Sequence, residues 1–207
     1  MKTIIKLPLL FILCFTVCCT QEYNVEAEIS GIGNDTVYVE NYLLSSIDTD
    51  PILDTVYAEG GRFFYNMPVK EPMISYITPK TAEYTRLNNS VYRPGHKAIT
   101  LILEADDKVK VSGSLQPNTL NYSVKGSEIS EAYSNHRNKF LDFEIAKTKI
   151  ELSLDSLMHR NAGNEAISAL FKKRKSISAD IRAEQMNFVK QNNDSQLSAF
   201  YISRQPL

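Results

Sequence analysis

The sequence contains no tryptophan and no cysteine after position 19. Its three cysteines, Cys14, Cys18 and Cys19, all lie close to the amino terminus. The rest of the chain therefore forms no disulfide within itself and offers no catalytic thiol. The sequence also lacks the run of roughly 20 apolar residues that a helix needs to cross a bilayer, so no membrane-spanning helix is predicted.

The first residues have the charged, apolar and polar order of a secretory signal sequence. Lys2 and Lys6 precede an uncharged apolar run over residues 7–19, and a polar stretch begins at Thr20. A run of about 13 residues fits a signal sequence better than a membrane span. We predict a signal sequence over residues 1–19 and export to the cell envelope.

A cysteine at the end of such a leader is the acceptor of the lipid anchor in bacterial lipoproteins. Cys19 and Cys18 are both candidates, and Cys19 is favoured because a polar tether follows it directly. The residues three positions earlier, Thr16 and Phe15, are not the branched apolar residues usual there. Ordinary cleavage near Thr20 and release into the periplasm is the alternative. Either outcome predicts a protein that faces the periplasm.

The chain has little excess charge of either sign. Without residues 1–19 it carries 21 basic and 24 acidic residues, a net charge of about −3. Nucleic-acid-binding proteins usually present a strongly basic surface, so nucleic acid is not expected as a partner. The expected partners are an envelope protein of unknown identity and the membrane, through the lipid anchor.

Residues 20–126 are predicted to form a β-rich domain, because short segments alternate between apolar and polar residues. In the first segment Tyr23, Val25, Ala27 and Ile29 alternate with polar residues. Turn residues at 31–35, 59–61 and 105–107 predict tight hairpin connections, and the polar stretch 79–96 predicts a long surface loop. Strands are predicted over 23–30, 36–43, 52–58, 62–67, 73–78, 98–104, 108–112 and 120–124.

Residues 127–207 are predicted to be helical, because the apolar period changes there from about 2 to about 3.5 residues. Ser127 is placed to cap a first helix that runs to about residue 160. A second helix ends near residue 192, and a short third helix covers 195–203. The first two helices are expected to pack as an antiparallel hairpin. The predicted fold class is α+β: an antiparallel β-sandwich or open barrel of about seven to eight strands, followed by an α-helical hairpin.

No motif in the sequence predicts a catalytic, metal or cofactor site. Nucleophile elbows and phosphate loops are missing, and Gly31 and Gly33 lack the third glycine of a dinucleotide fingerprint. His96, His136 and His159 do not share metal-ligand spacing, and each is predicted to lie at the surface or at an interface. We therefore expect neither enzymatic activity nor a cofactor.

Two charged clusters and a group of tyrosines are the remaining candidates. The acids at 104, 106 and 107 predict a solvated turn, with a cation site as the alternative. The basic run 172–175 predicts a solvated helix face, with contact to anionic lipid head groups as the alternative. Six tyrosines of the β half are predicted to pack on the sheet, or else to contact a partner or a glycan. They are Tyr38, Tyr42, Tyr57, Tyr76, Tyr84 and Tyr92.

The order of several motifs resembles the N-terminal domain of unknown function that precedes the thioredoxin-like domain in bacterial envelope thiol–disulfide interchange lipoproteins. The matching segments are 29–33 leading into 36–39, 54–56 before 61–64, Pro72, 103–107 before 109–113, 124–127, and 192–195 before 199–202. The redox domain of that family carries Cys-x-x-Cys, a motif that this sequence does not contain. The resemblance therefore implies an accessory domain and transfers no redox residue.

Three functions are consistent with the sequence. The first is a non-catalytic envelope protein that binds a partner or acts as a spacer. The second is the N-terminal portion of a thioredoxin-like oxidoreductase, which a Cys-x-x-Cys encoded after Leu207 would support. The third is a glycan- or ligand-binding module, which would require tyrosines and acids to meet in one pocket.

Overall fold

A computed structural model describes residues 23–46 and 50–204. The predicted signal sequence, with Cys18 and Cys19, lies outside these residues. The strands are β1 Val25–Ser30, β2 Asp35–Leu43, β3 Ile52–Ala58, β4 Arg62–Tyr65, β5 Met73–Pro79, β6 Tyr84–Thr85, β7 Val91–Tyr92, β8 Ile99–Leu103, β9 Val109–Leu115 and β10 Leu120–Lys125. The helices are α1 Glu128–Arg137, α2 Leu141–His159, α3 Asn164–Gln191 and α4 Gln196–Ser203. The α+β fold class is confirmed.

Most strands belong to two four-stranded sheets that pack face to face. Sheet 1 has the order β10-β9-β1-β4, and sheet 2 has the order β3-β2-β5-β8. Both sheets are open, so the described chain forms the predicted sandwich and not a barrel. The pairs within them are antiparallel except for β1 and β9, which run parallel and depart from the predicted arrangement.

Apolar residues at alternate positions form the core between the sheets. Val25 and Ile29 of β1 are fully buried, and they share one cluster with Val37 and Val39 of β2 and Leu101 of β8. Burying each such side chain contributes about 1.5–3 kcal/mol. The period of two in the sequence therefore identifies the core-facing side of the strands correctly.

Three tight turns carry the chain from one sheet to the other. The turn at 31–34 joins β1 to β2, the turn at 59–61 joins β3 to β4, and the turn at 104–108 joins β8 to β9. The predicted hairpins at these turns are wrong. Turn residues specify a reversal of the chain, whereas strand pairing depends on partners distant in sequence, such as β9 for β1.

Two of these turns are hydrogen-bonded to each other, and this contact requires glycine at position 61. The Gly61 N–H donates to Gly33 O at 2.8 Å, and the Ile29 N–H donates to Gly61 O at 2.8 Å. Gly61 has a φ of 86°, and a Cβ atom there would lie 2.4 Å from Ile29 O. A larger residue would therefore force the two turns apart.

Residues 79–96 are not the surface loop that was predicted. The segment contains the β6–β7 hairpin, and His96 at its end is buried. Arg93 bonds Glu40 of β2 at 2.8 Å and Glu83 at 2.7 Å. The prediction fails because these anchoring contacts are made with distant elements and leave no periodic pattern in the segment itself.

The predicted first helix is two helices. α1 ends at Arg137 and α2 begins at Leu141, with buried Phe140 between them. α1 packs on β8 and β10 whereas α2 packs on α3, so the chain changes direction between two different partners. α2 and α3 form the predicted hairpin, and α4 is the predicted short helix. None of the helices in the described part of the chain combines the length and the apolar character needed to span a bilayer.

Hydroxyl groups from β10 and α1 cover the outer edge of β8. The Ile102 N–H donates to Ser130 Oγ at 2.9 Å, and Ser130 Oγ donates to Ile102 O at 2.6 Å. The Thr100 N–H donates to Tyr122 Oη at 2.9 Å. Ser127 occupies the predicted cap position, but its hydroxyl bonds Ile102 O at 3.3 Å instead of the helix. The main chain of β8 is thus satisfied on both sides.

Candidate binding cleft

A cleft of about 540 Å³ lies between the outer face of sheet 2 and the helices. Small-molecule sites in proteins commonly measure about 300–1,000 Å³. β5, β7, β8 and all four helices, together with the loops around residues 86 and 95, contribute lining residues. The aromatic ones are Tyr76, Tyr92, Tyr133, Phe140, Phe200 and Tyr201.

Four tyrosines from four elements form much of the cleft wall: Tyr76 of β5, Tyr92 of β7, Tyr133 of α1 and Tyr201 of α4. The rings of Tyr133 and Tyr201 lie 6.5 Å apart. Burial raises the pKa of all four phenols, that of Tyr133 well above its usual range. The hydroxyls are therefore protonated at neutral pH, and they donate and accept hydrogen bonds.

The charged groups of the lining are mostly cationic. Glu144 and Glu151 are its acids, and Glu151 is already paired with Arg174 of α3 at 3.0 Å. The lining therefore has a formal charge of +3, against −1 for the whole chain. Its cations are Arg86, Arg93, Arg137, Lys147 and Arg204.

Arg137 is the most deeply buried of these cations, with 4% of its surface exposed. Its Nη1 donates to Leu120 O at 3.0 Å, and its Nη2 donates to His96 O at 2.7 Å. The guanidinium also lies 5.0 Å from the ring centre of Tyr122. These contacts satisfy N–H groups but bring no negative charge to the guanidinium.

A chain of hydrogen bonds leads from the cleft into the protein. Tyr92 Oη lies 3.3 Å from Thr148 Oγ1, which lies 3.1 Å from His96 Nδ1. Burial, with smaller contributions from Lys97 and Arg137, lowers the pKa of His96 to about 4. His96 is therefore a neutral imidazole at pH 7, and it ties the segment 79–96 to α2.

A second buried histidine joins three of the helices. His136 Nδ1 lies 2.8 Å from Tyr201 Oη, and Nε2 lies 3.7 Å from Glu184 Oε1. Burial lowers the pKa of His136, although Glu184 acts in the opposite direction. His159 is exposed at the end of α2. No group of three or more potential metal ligands occurs among residues 23–46 and 50–204.

The tyrosines of the β half separate into two groups. Tyr76 and Tyr92 line the cleft, and Tyr42 packs edge-on against Tyr76 with the ring centres 5.9 Å apart. Tyrosines and acids thus meet in one pocket, although not all of the tyrosines singled out from the sequence are there. The others lie elsewhere on the β half: Tyr38, Tyr57 and Tyr84.

The two charged clusters lie where a solvated turn and a solvated helix face were predicted. The Glu104 N–H donates to Asp107 Oδ2 at 3.0 Å, which fixes the acidic segment as a turn. In the basic run 172–175, Arg174 pairs with Glu151 and the three lysines are exposed. The candidate lipidation sites Cys19 and Cys18 lie outside the described residues.

The sequence predicted no function for most of the cleft residues on the helices. Tyr133 and Tyr201 lie in segments that were predicted only to be helical, and no prediction was made for Arg137, Lys147 and Arg204. One signal was available, because a tyrosine on a buried stripe usually turns its hydroxyl towards a polar partner. The convergence of these residues with Tyr76 depends on how the helices pack on sheet 2.

Fold and cleft together define an α+β protein in which helices cover the outer face of one sheet of a β-sandwich and enclose a concave aromatic site. Residues 23–133, just over half of the chain, match the family described as Domain of unknown function (DUF4369). The chain therefore belongs to this family. The match covers both sheets and extends to Tyr133 in α1, so it includes part of the cleft wall. No curated protein matches the chain.

Proposed function

We propose that this protein is a non-catalytic binding module of the bacterial cell envelope and that the cleft holds its ligand. The observation that carries this proposal is that sheet 2 and the helices build the cleft jointly. Tyr76 comes from the sheet, and Tyr133 and Tyr201 come from helices. A concave aromatic surface with a few convergent polar groups is typical of ligand sites. The signal-like leader supports an envelope location.

Binding in this cleft requires no chemical step. The tyrosine rings pack against a planar or apolar part of the ligand, and their protonated hydroxyls exchange hydrogen bonds with its polar groups. A probe the size of a substituted naphthalene, with about 14 non-hydrogen atoms, would gain about 4 kcal/mol, a Kd of about 1 mM. Such an affinity is measurable by ligand titration.

Anchoring by a lipid belongs to the same proposal. Cys19, or Cys18 as the alternative, would carry the lipid and hold the module at the membrane next to its envelope partner. Mass spectrometry of the exported protein tests this. A diacylated amino-terminal cysteine is expected, whereas an unmodified terminus near Thr20 would show a released periplasmic protein.

A relation to thiol–disulfide interchange proteins is supported by the order of the sequence motifs. The described residues contain no cysteine, so a redox partner would have to supply the thiols. We propose an accessory role for this protein beside such a partner. The exported protein is expected to show no disulfide reductase activity on insulin, and robust turnover would contradict the non-catalytic role.

The binding role of the cleft is tested with three naphthalene probes of similar size that differ in charge: 2-naphthylacetate, 2-naphthylethanol and 2-naphthylethylamine. At least one probe is expected to shift the amide NMR resonances of cleft residues in a saturable titration. Tyr76→Ala removes one wall and is expected to weaken that probe about tenfold. Tyr57→Ala, on exposed β3, is the matched control.

Two results would contradict the proposal. One is that none of the three probes shifts cleft resonances at concentrations up to about 10 mM, far above the expected Kd. The other is that Tyr57→Ala weakens binding as much as Tyr76→Ala. Urea unfolding of both variants confirms that each is folded under the titration conditions.

A further inference from the structure

We propose that the ligand of the cleft carries an anionic oxygen group, a carboxylate or a phosphate, on a planar apolar body. The inference rests on the proposed function and adds the chemical class of the ligand. It is carried by the unpaired positive charge of the lining.

Four cations of the lining have no acidic partner among the residues that the structure describes: Arg86, Arg137, Lys147 and Arg204. Arg93 differs, because Glu40 and Glu83 both bond its guanidinium. Several like charges around one concave surface raise the local concentration of counter-ions. The cleft therefore attracts anions although the chain as a whole is slightly acidic.

Arg137 makes the strongest case for an anionic ligand. Its guanidinium is buried, donates to two carbonyl oxygens and lies near the Tyr122 ring, and none of these groups carries a negative charge. A buried charge without a counter-charge is costly, and an anion reaching this end of the cleft would remove that cost. Guanidinium groups bind carboxylates and phosphates with charge-assisted hydrogen bonds.

Arg86 supplies an independent indication on another wall. Its Nε is buried and has no hydrogen-bond partner in the described part of the chain. Its guanidinium carbon lies 4.9 Å from the ring centre of Tyr92, which orients the group beside the cleft. Buried N–H groups are nearly always bonded, so an acceptor at this wall, from a ligand or from a water molecule, would satisfy the Arg86 Nε–H.

Glu144 is the one acid of the lining that forms no ion pair with the described residues. It helps raise the pKa of both Tyr76 and Tyr92, which places its charge near these rings. One free acid against four free cations leaves the cleft cationic. Glu144 is suited to accept a hydrogen bond from a hydroxyl or amide of the same ligand.

The three naphthalene probes separate this inference from the binding role. 2-Naphthylacetate is expected to bind about tenfold more tightly than neutral 2-naphthylethanol at 20 mM salt, and 2-naphthylethylamine more weakly than both. The advantage of the anion is expected to shrink at 500 mM salt, because salt screens exposed charges. 2-Naphthyl phosphate forms a fourth arm that distinguishes a phosphate preference from a carboxylate preference.

Substitution of the cations at the open side of the cleft tests their role. Arg137 also holds two carbonyls of the fold, so Lys147→Gln and Arg204→Gln are combined instead. The double variant is expected to weaken 2-naphthylacetate about five- to tenfold and to weaken 2-naphthylethanol distinctly less. Lys172→Gln with Lys173→Gln, on the exposed face of α3, removes the same charge outside the cleft and is the matched control.

Equal affinity for the anion and the alcohol would overturn the anionic class and leave the binding role intact. An equal loss of anion binding in the α3 control would show a general charge effect, and it would also overturn the assignment. Failure of every probe to bind would instead contradict the proposed function itself.

Discussion

The two outer edges of sheet 2 are built in opposite ways. β8 is buried along its whole length, and hydroxyls from Tyr122 and Ser130 bond its outer main chain. β3, at the other edge, is exposed over most of its length, with Leu53 at 68% exposure. Helix α1 and the cleft lie at the β8 edge. The buried edge strand, the helix that packs on it and the candidate site therefore lie on the same side of the sheet.

This difference shows how one sheet combines a rigid edge with a tolerant edge. A strand with unpaired main-chain groups accepts changes of side chain easily, but it leaves donors and acceptors open. A strand whose outer main chain is bonded by side-chain hydroxyls has no open donors or acceptors, but its stability depends on each residue that supplies a hydroxyl. Substitutions at the two edges are therefore expected to differ strongly in their effect on the free energy of unfolding.

The sharpest comparison substitutes one leucine at each edge. Leu101→Ala in β8 is expected to lower the free energy of unfolding by about 2–5 kcal/mol, because it leaves a cavity in the core. Leu53→Ala in β3 is expected to change it by less than about 0.5 kcal/mol. Urea unfolding followed by circular dichroism measures both. Similar losses in the two variants would remove the contrast between the edges.

Acid is expected to destabilise the β8 end through His96. The pKa of His96 is about 4 in the folded chain and about 6.5 when unfolded, so the unfolded chain binds the proton more readily. The contribution of neutral His96 to the free energy of unfolding is fully present above pH 6.5 and is lost as pH falls towards 4. The expected loss is about 3 kcal/mol.

Urea unfolding at several pH values measures this effect against His96→Gln, which is expected to have a flatter stability profile between pH 6.5 and 4. His159→Gln replaces an exposed histidine and is expected to keep the wild-type profile. If the free energy of unfolding of His96→Gln fell with pH as steeply as that of the wild type, groups other than His96 would cause the acid sensitivity.

Removal of a single hydroxyl tests the hydrogen bonds that side chains make to the outer main chain of β8. Ser130→Ala leaves the Ile102 N–H without its partner and Ile102 O with a weaker one, and both groups are buried. The expected loss is about 2 kcal/mol in the free energy of unfolding. Ser153→Ala, on the exposed face of α2, serves as the control and is expected to change little. Hydrogen exchange at Ile102 should increase in Ser130→Ala, and unchanged exchange would contradict the role of the hydroxyl.

Secondary structure was largely predictable from the sequence, because it follows from local patterns. The alternation of Val25, Ala27 and Ile29 identified β1 and its buried face, and the longer apolar period identified the helices. Elements fixed by distant contacts were missed. The segment 79–96 is held by Glu40 and Thr148, and the break near Phe140 arises because α1 and α2 pack on different partners.

The candidate site was only partly predictable. Tyr76 and Tyr92 stood out as tyrosines in a β-rich segment, and both line the cleft. Tyr133, Arg137 and Arg204 lie on helices whose sequence pattern reports only that one face is buried. A helix stripe does not say which sheet it covers, so these residues could not be assigned to one site in advance.

The sequence by itself determined the α+β class, the order of most strands and helices, and a body without cysteine. These properties depend on composition and on short periodic patterns. The tertiary structure alone decided which turns cross between sheets, how hydroxyls cover the edge of β8, and which charges meet in the cleft. Each of these depends on contacts between residues far apart in the chain, such as Arg137 with His96, and no local pattern encodes such contacts.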